Sequence, residues 1–197
     1  MQEPTRRLRY NVAVSLDGYI APLNESTDWI IHDENIDFKT LYSQFDTFVM
    51  GRKTYECMFS MGVQNPLRNR EKESLIVFSR TLESKDHPAV TIVSDDFTGY
   101  VAELKHGRGR DIWLMGGGQL VGPCLDAGVL DSVETAIMPV ILGKGIRMVQ
   151  GLTHTPTRGF KLDLVDCKKM ETSGIVMCKY NLRRQMAASL GEAFSAS

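Results

Sequence analysis

The run Asp111-Ile-Trp-Leu-Met115, passing directly into Gly116-Gly117-Gly118 and then Gln119-Leu120-Val121, constrains this chain more than any other stretch. Five mostly apolar residues predict a buried strand, and three glycines before a helix-forming run predict a tight strand-to-helix turn. With no Cβ on that turn, a ligand can lie directly on the backbone. The N–H groups that open the next helix have no intrahelical acceptors there, which suits a phosphate. Tight helix-to-strand packing alone would select the same glycines, so the turn by itself does not separate the two readings. It is not a Rossmann dinucleotide turn. GxGxxG placed on Gly116 and Gly118 needs a glycine where Val121 stands, and several predicted strands precede it, whereas the Rossmann turn opens its domain.

With 197 residues the chain is long enough for one domain with a sizeable core. Its 23 basic and 24 acidic residues nearly cancel, which gives no electrostatic footprint for nucleic acid. No apolar run approaches the roughly 20 residues that span a bilayer, and Met1-Gln-Glu-Pro-Thr-Arg-Arg7 lacks a signal-peptide core, so a cytoplasmic protein with no membrane partner is expected. Cys57, Cys124, Cys167 and Cys178 form no CxxC pair, and His32, His87, His106 and His154 show no ligand spacing. Reduced, buried thiols and no metal are the expectation.

Strand and helix alternate along the chain. Arg9–Val14 is a predicted strand, followed by a long loop from Ser15 to Asp28 with Gly18 and Pro22. From Asp33 as N-cap, Phe38, Leu41, Tyr42 and Phe45 recur at i, i+3, i+4, i+7 and predict an amphipathic helix. Thr47–Met50 is a short strand ending at Gly51-Arg52-Lys53-Thr54-Tyr55, a second strand–glycine–helix turn, now with two cations. Leu75–Phe78 ends in Ser79-Arg80, which adds a third cation at a strand end. Val90–Val93, a helix over Phe97–His106, the central strand and a helix over about Gln119–Ala127 follow. Val133–Met138 leads to Gly143-Lys144-Gly145, which lacks the earlier glycine and the following Ser or Thr of a Walker A loop. Residues from Phe160 to Leu182 alternate around Glu171–Gly174 as an antiparallel hairpin. A two-residue turn at Thr172-Ser173 sets Cys167 opposite Cys178, and one at Ser173-Gly174 sets Cys167 opposite Tyr180. The expectation is one α/β domain over residues 1–184, with a mostly parallel sheet, helices on both faces and a C-terminal antiparallel hairpin. A tail over 185–197 is expected to be a frayed helix or disordered.

Four stretches in this order, Ser15-Leu-Asp-Gly18, Met50-Gly-Arg-Lys-Thr-Tyr-Glu56, Met115-Gly-Gly-Gly118 and Pro139-Val-Ile-Leu-Gly-Lys-Gly145, resemble motifs of the dihydrofolate reductase-like fold. The resemblance covers residues 8 to 182. It is nearest to stand-alone proteins similar to the reductase domain of the bifunctional riboflavin-biosynthesis deaminase-reductase. The deaminase half is absent, because no HxE with a following PCxxC occurs.

This resemblance implies hydride transfer from NADPH to a flat heterocycle. Gly116, Gly117, Gly118, Gln119 and Leu120 are implied under the pyrophosphate, and Gly51, Arg52, Lys53, Thr54, Ser79 and Arg80 around phosphate. The chemistry of the residues agrees, since a 2'-phosphate calls for cations where a Rossmann NAD site places an acid; the alternative is that Arg52, Lys53 and Arg80 are solvated surface charges. Ala13 and Ile20 are implied to line the nicotinamide pocket, with the Ser15–Trp29 loop closing over it. Asp17 is a substrate contact or simply half of an Asp-Gly turn, and Trp29 a loop anchor or pocket wall. Five residues on from Trp29 and four back from Phe38, as in the folate enzyme, stands Glu34, a candidate proton donor or substrate anchor; with Asp33 and Asp37 it would alternatively favour a helix N-terminus. The expected protein is a homodimeric NADPH-dependent reductase of a pterin-, pyrimidine- or riboflavin-pathway-like substrate. The alternatives are authentic dihydrofolate reduction and a non-catalytic NADPH-binding protein.

Overall fold

The computed structural model describes residues 6–153 and 159–183, so the tail expected over 185–197 lies outside the described residues. Eight strands form one sheet in the order β5-β4-β3-β6-β1-β7-β10-β9. The parallel part comprises β5 (Thr91–Val93), β4 (Leu75–Phe78), β3 (Phe45–Gly51), β6 (Asp111–Gly116), β1 (Leu8–Ser15) and β7 (Ser132–Met138). The hairpin of β9 (Leu162–Lys169) and β10 (Val176–Leu182) adds to β7 in the antiparallel sense. This is the expected architecture, a mostly parallel sheet with helices on both faces and an antiparallel hairpin at one edge.

The parallel strands read as continuous apolar runs because both of their faces are covered. One face carries Leu8, Tyr10, Val49, Ile76, Ile112 and Leu114 against α3 (Phe97–His106) and α4 (Gly118–Asp126) through Val101, Val121, Cys124 and Leu125. Burial pushes the Cys124 thiol up to about 12, which leaves it an inert core residue. The opposite face carries Phe45, Phe48, Val77 and Trp113 against α1 (Phe38–Ser43) and α2 (Arg52–Ser60).

Three expectations are corrected. The helix expected from Asp33 starts at Phe38, capped by Asp37, whose carboxylate accepts from Thr40 N at 2.9 Å. Phe38 is exposed and Phe45 is buried in β3, so two members of the apolar stripe do not belong to one helical face. The long loop after β1 contains a strand, β2 (Tyr19–Ala21), paired antiparallel with β8 (Ile146–Arg147). Its partner lies over 120 residues away and is short, so no local period marks either strand. In the hairpin Cys167 faces Cys178, with the sulfurs 3.6 Å apart, as a turn at Thr172-Ser173 requires. A register shift after Lys179 then sets Tyr180 against Leu164.

Buried charge pairs stitch the starting ends of the strands. Arg6 bonds Asp46 and Thr47 Oγ1, and Lys105 meets Asp131 at 2.6 Å. Arg9, 4 % exposed, donates from Nε and Nη2 to the two oxygens of Glu134, 7 % exposed, at 2.6 and 2.8 Å. Burial alone would push the Glu134 carboxyl up, but the hydrogen bonds and charge of Arg9 outweigh it and hold the group below its ordinary value. Removing one partner strands the other charge. Arg9→Ala is therefore expected to cost about 3 kcal/mol of stability, read as a lower urea midpoint with an unchanged slope. The double change Arg9→Met with Glu134→Leu is expected to recover most of that loss; a double variant as unstable as the single would show that the pair's geometry, not its uncompensated charge, carries the effect.

Candidate functional site

The three motifs singled out in the sequence meet at the carboxyl ends of three adjacent parallel strands. Gly51 of β3 is registered with Phe78 of β4, and Met50 with Gly116 of β6. Gly51-Arg52, Ser79-Arg80 and Gly116–Gly118 therefore form one rim, where open α/β sheets receive ligands. Beside it the sheet parts: β1 and β6 are paired only from Leu8 to Tyr10, although β1 continues to Ser15 and β6 to Gly116. The ends of β1 and β6 thus flank a crevice, with Ala13 on one side and the triple glycine on the other.

The glycine turn has room for a ligand and a reason for its residue type. Gly116 sits at φ +115°, a conformation side chains rarely adopt, and the Gly116–Gly117 peptide is cis. A Cβ on Gly117 would meet nothing within 4 Å, whereas one on Gly118 would stand 2.2 Å from the carbonyl oxygen of Arg147. The middle glycine therefore faces open space, and the third allows residues 147–148 to pass against the start of α4. Gly117 caps α4 and Gly51 caps α2, neither with a side-chain hydrogen bond. Two helix N-termini, each nine residues of aligned dipoles, thus open uncapped side by side. Thr54 Oγ1 stands 3.9 Å from where a Cβ on Gly116 would be. Gln119 is exposed and Leu120 half-buried, its side chain near Gly51.

The cations differ in their engagement. Arg52 pairs with Glu56 at 2.8 Å in an exposed i,i+4 contact. Lys53 bonds Glu25 at the tip of the loop that follows β1, and so latches that loop to α2. Arg80 is exposed and makes no ion pair among the described residues. The Ser79 hydroxyl accepts from the backbone N–H of Thr81 and Leu82 at 3.2 and 3.1 Å and shapes the turn that carries Arg80.

The loop after β1 is held as an arm. Leu16 N donates to Val140 O at 2.8 Å and Met148 N to Gly18 O at 3.1 Å, while Ile20 lies half-buried within β2. Asp17 is its clasp. One oxygen accepts from Ser15 Oγ at 2.6 Å and Leu142 N at 3.1 Å, and the other from Gly143 N at 2.7 Å. The Ser15 bond above all, with the two N–H groups, holds its carboxyl below the ordinary value. Asp17 therefore ties the arm to residues 142–143, which its sequence context alone did not reveal.

Glu34 is exposed, on the turn before α1, and engages no other described residue. The acid next to it is the buried one. Asp33, 4 % exposed, accepts from Ser173 Oγ at 2.6 Å and from Asn35 N and Nδ2 at 2.9 and 3.0 Å. The Ser173 bond, first among its causes, lowers its pKa. Asp33 thereby ties the segment roofing Ala13 to the tip of the terminal hairpin. Ala13 packs, with Trp29, Ile31, Ile36 and Met177, against the buried cluster of Met138, Met170 and Ile175. Trp29 thus belongs to the same apolar cluster as Ala13, and its indole Nε1 is buried without a hydrogen-bond partner among the described residues. Sequence reasoning missed Asp33 as a brace and Glu134 as a buried acid; only a long-range partner, Ser173 for one and Arg9 for the other, makes either visible. Among the described residues no group of His, Cys, Asp or Glu is placed to hold a metal, and no helix is long and apolar enough to cross a membrane.

The RibD C-terminal domain family matches residues 6–176. The uncharacterized protein YyaP of Bacillus subtilis (strain 168) is 34% identical over 148 residues, 71% of this chain and 78% of that protein. A putative riboflavin biosynthesis protein from Shewanella sp. PV-4 superposes with a TM-score of 0.74 at 22% identity, covering 90% of this chain and 99% of that one. Enterococcus faecalis dihydrofolate reductase, in a complex with NADP(H), has a TM-score of 0.59 at 15% identity, with 89% and 94% covered. At these identities the two structures speak for the fold.

The clasp has a measurable signature. Asp17→Ala should make the amide protons of Leu142 and Gly143 exchange at least about tenfold faster while those of the core strand β6 stay unchanged. Because the Asp17 pKa is depressed on folding, its contribution is complete above about pH 4 and is lost as pH falls through the lower folded value. Protection at Leu142 that is indifferent to both the substitution and acid would remove Asp17 from this role.

Proposed function

Because this chain belongs to the RibD C-terminal domain family, we propose that it is an NADPH-dependent reductase delivering a hydride to a small conjugated heterocycle of the pterin, pyrimidine or riboflavin-pathway type. The observation that carries this reading is the meeting of two uncapped helix N-termini with Arg52 and Arg80 on one rim of the sheet. The residues fit a dinucleotide phosphate. Gly117 leaves open space at the turn, α4 offers the backbone N–H groups of Gly118 and Gln119, and Arg52 and Arg80 follow the ends of the adjacent strands β3 and β4 as cations for a 2'-phosphate. The riboflavin-biosynthesis and NADP(H)-bound structures that share the fold support the same direction.

When bound, the dinucleotide supplies the hydride. The protein's part is alignment and exclusion of water. Ala13 and Ile20 would line a bound nicotinamide at the crevice between β1 and β6, and the arm latched by Lys53 and clasped by Asp17 would exclude water from it. Ser79 and Thr54 complete the phosphate end, Ser79 by positioning Arg80. Glu34 is the proton donor or substrate anchor in this scheme, its carboxyl at the open side of the turn before α1. The working protein is a cytoplasmic homodimer. A chain that binds NADPH yet oxidises none of it across a panel of pterins, pyrimidines and quinones is instead a nucleotide-binding protein without turnover.

Cofactor preference tests the rim. Two partly exposed charge-assisted contacts are enough for about a hundredfold preference for NADPH over NADH, shrinking in high salt. Replacing Arg52 and Arg80 together by Ala should weaken NADPH binding to the level of NADH and leave NADH nearly unaffected, as measured by fluorescence titration. Equal losses for both cofactors would mean the arginines hold the pyrophosphate or the fold.

The proton donor is tested separately. Glu34→Gln should erase the acidic limb of the pH–rate profile with a genuine substrate while NADPH affinity holds. An unaltered profile would leave Glu34 a surface residue of the turn and pass the proton to solvent.

A further inference from the structure

The far edge of the sheet carries two thiols that the reductase reading leaves unused. β9 ends the strand order, separated from β1 by β10 and β7. Within the terminal hairpin Cys167 of β9 is registered directly opposite Cys178 of β10, and one thiol donates to the other across 3.6 Å. Directly opposed residues of an antiparallel pair have Cα atoms about 4.5 or 5.5 Å apart. Both spacings fall inside the roughly 4.4–6.8 Å that a disulfide bridges, so side-chain rotation brings the sulfurs to bonding distance with both strands in place.

The two thiols differ in access. Cys167 is exposed on the edge strand, whereas Cys178 is 8 % exposed. A small disulfide in solution therefore meets Cys167 first, with a second sulfur already beside it. Cys124 is buried and Cys57 half-buried on α2, and neither stands opposite another cysteine. The bond shared with Cys178, first among its causes, pushes the Cys167 thiol up, so thiolate is scarce at neutral pH and the first exchange is slow. The second exchange is intramolecular and needs no encounter. A link at this point closes a loop around residues 168–177. That loop holds the buried Met170 and Ile175, and Ser173, whose hydroxyl donates to Asp33 at 2.6 Å. Met170 N donates to Ile175 O at 2.8 Å and Gly174 N to Met170 O at 2.9 Å. The enclosed hairpin end is thus the piece that braces Asp33 and supplies the cluster against which Ala13 packs.

We propose that Cys167 and Cys178 form a redox-sensitive dithiol, a modification site for low-molecular-weight disulfides, whose oxidation staples the hairpin end that braces Asp33. Cys167, as the thiolate, attacks one sulfur of the small disulfide; that S–S bond breaks, a mixed disulfide forms and one small thiolate leaves. Cys178, deprotonated in turn, attacks the Cys167 sulfur and displaces the second small thiolate. The two protein thiols lose two electrons, the small disulfide gains them, and the two protons pass through solvent to the departing thiolates. The site stands independently of the reductase reading, since two strands separate it from β1. A covalent link at the base of the hairpin end removes open conformations from its reach, so the brace on Asp33 opens less often in the oxidised form.

The test incubates the reduced full chain with glutathione disulfide in the absence of air, alkylates the remaining thiols after unfolding and maps them by mass spectrometry. An internal Cys167–Cys178 disulfide, reversed by dithiothreitol, is expected, with Cys57 and Cys124 recovered as alkylated thiols. In Cys178→Ser the reaction should stop at a mixed disulfide on Cys167, and in Cys167→Ser the Cys178 thiol should stay reduced. In the oxidised wild-type chain the amide protons of Met170 and Gly174 should exchange at least about tenfold more slowly, while that of Leu114 in β6 is unchanged. A wild-type chain that stays reduced or stops at the mixed disulfide would overturn the proposal. So would a disulfide that joins two chains or uses Cys57, oxidation of Cys178 in Cys167→Ser, or hairpin amides indifferent to oxidation.

Discussion

Residues 145–151 are the strap on which the functional end of the molecule depends, and they can be there only because three glycines let backbone pass against backbone. A Cβ at Gly118 would stand 2.2 Å from Arg147 O, one at Gly122 2.1 Å from Gln150 O, and one at Gly145 2.1 Å from Ala21 O. None of these contacts has a flexible side chain that could give way. Through them the strap carries β8, bonds Met148 N to Gly18 O, Gln150 N to Gly118 O and Gly122 N to Gln150 O, and receives the Tyr10 hydroxyl on Met148 O at 2.9 Å. The arm, β1 and the first turns of α4 are thereby fixed to one another by hydrogen bonds, while Met148 and Val149 of the strap pack on the core. A bulky residue at any of the three positions would push apart the backbone segments that meet there.

Charge is divided between the two ends of the sheet in a way that separates stability from recognition. At the starting ends of the strands Arg6, Arg9 and Lys105 are nearly buried and each meets a carboxylate with further hydrogen bonds, the condition under which a buried ion can be retained. At the carboxyl ends the cations are exposed, their partners are other exposed side chains, and the neighbouring backbone N–H groups are uncapped. Exposed pairs of that kind are worth about 0 to 1 kcal/mol and exchange readily, so a phosphate can take Arg52 from Glu56 at little cost.

The amino-acid sequence by itself determined most strands of the large sheet and the glycine turns that end two of them. Strands such as Leu75–Phe78 and the helix Phe97–His106 stand where apolar runs and the helical pattern place them, because burial on both faces or on one stripe leaves a local signature. The glycine turns after β3 and β6 were legible for the same reason, since each follows its own strand directly. That they are neighbours, with Ser79-Arg80 beside them, depends on a strand order that skips from β3 to β6 and then back to β1.

Tertiary structure alone decided which polar residues are structural. Asp33 and Glu34 are adjacent acids before the same helix, yet one is buried on Ser173 and the other is in solvent, a difference created by a hairpin 140 residues away. Asp17 looks like half of a turn dipeptide until Leu142 and Gly143 supply its donors, and Asn11 acquires a fixed orientation only from Glu134 and Arg9 on its own and the adjacent strand. Apolar residues announce their surroundings through period, because every one of them seeks the same burial. A polar group is specified by one particular partner, and where the fold brings that partner from a distant part of the chain, local pattern carries no record of it.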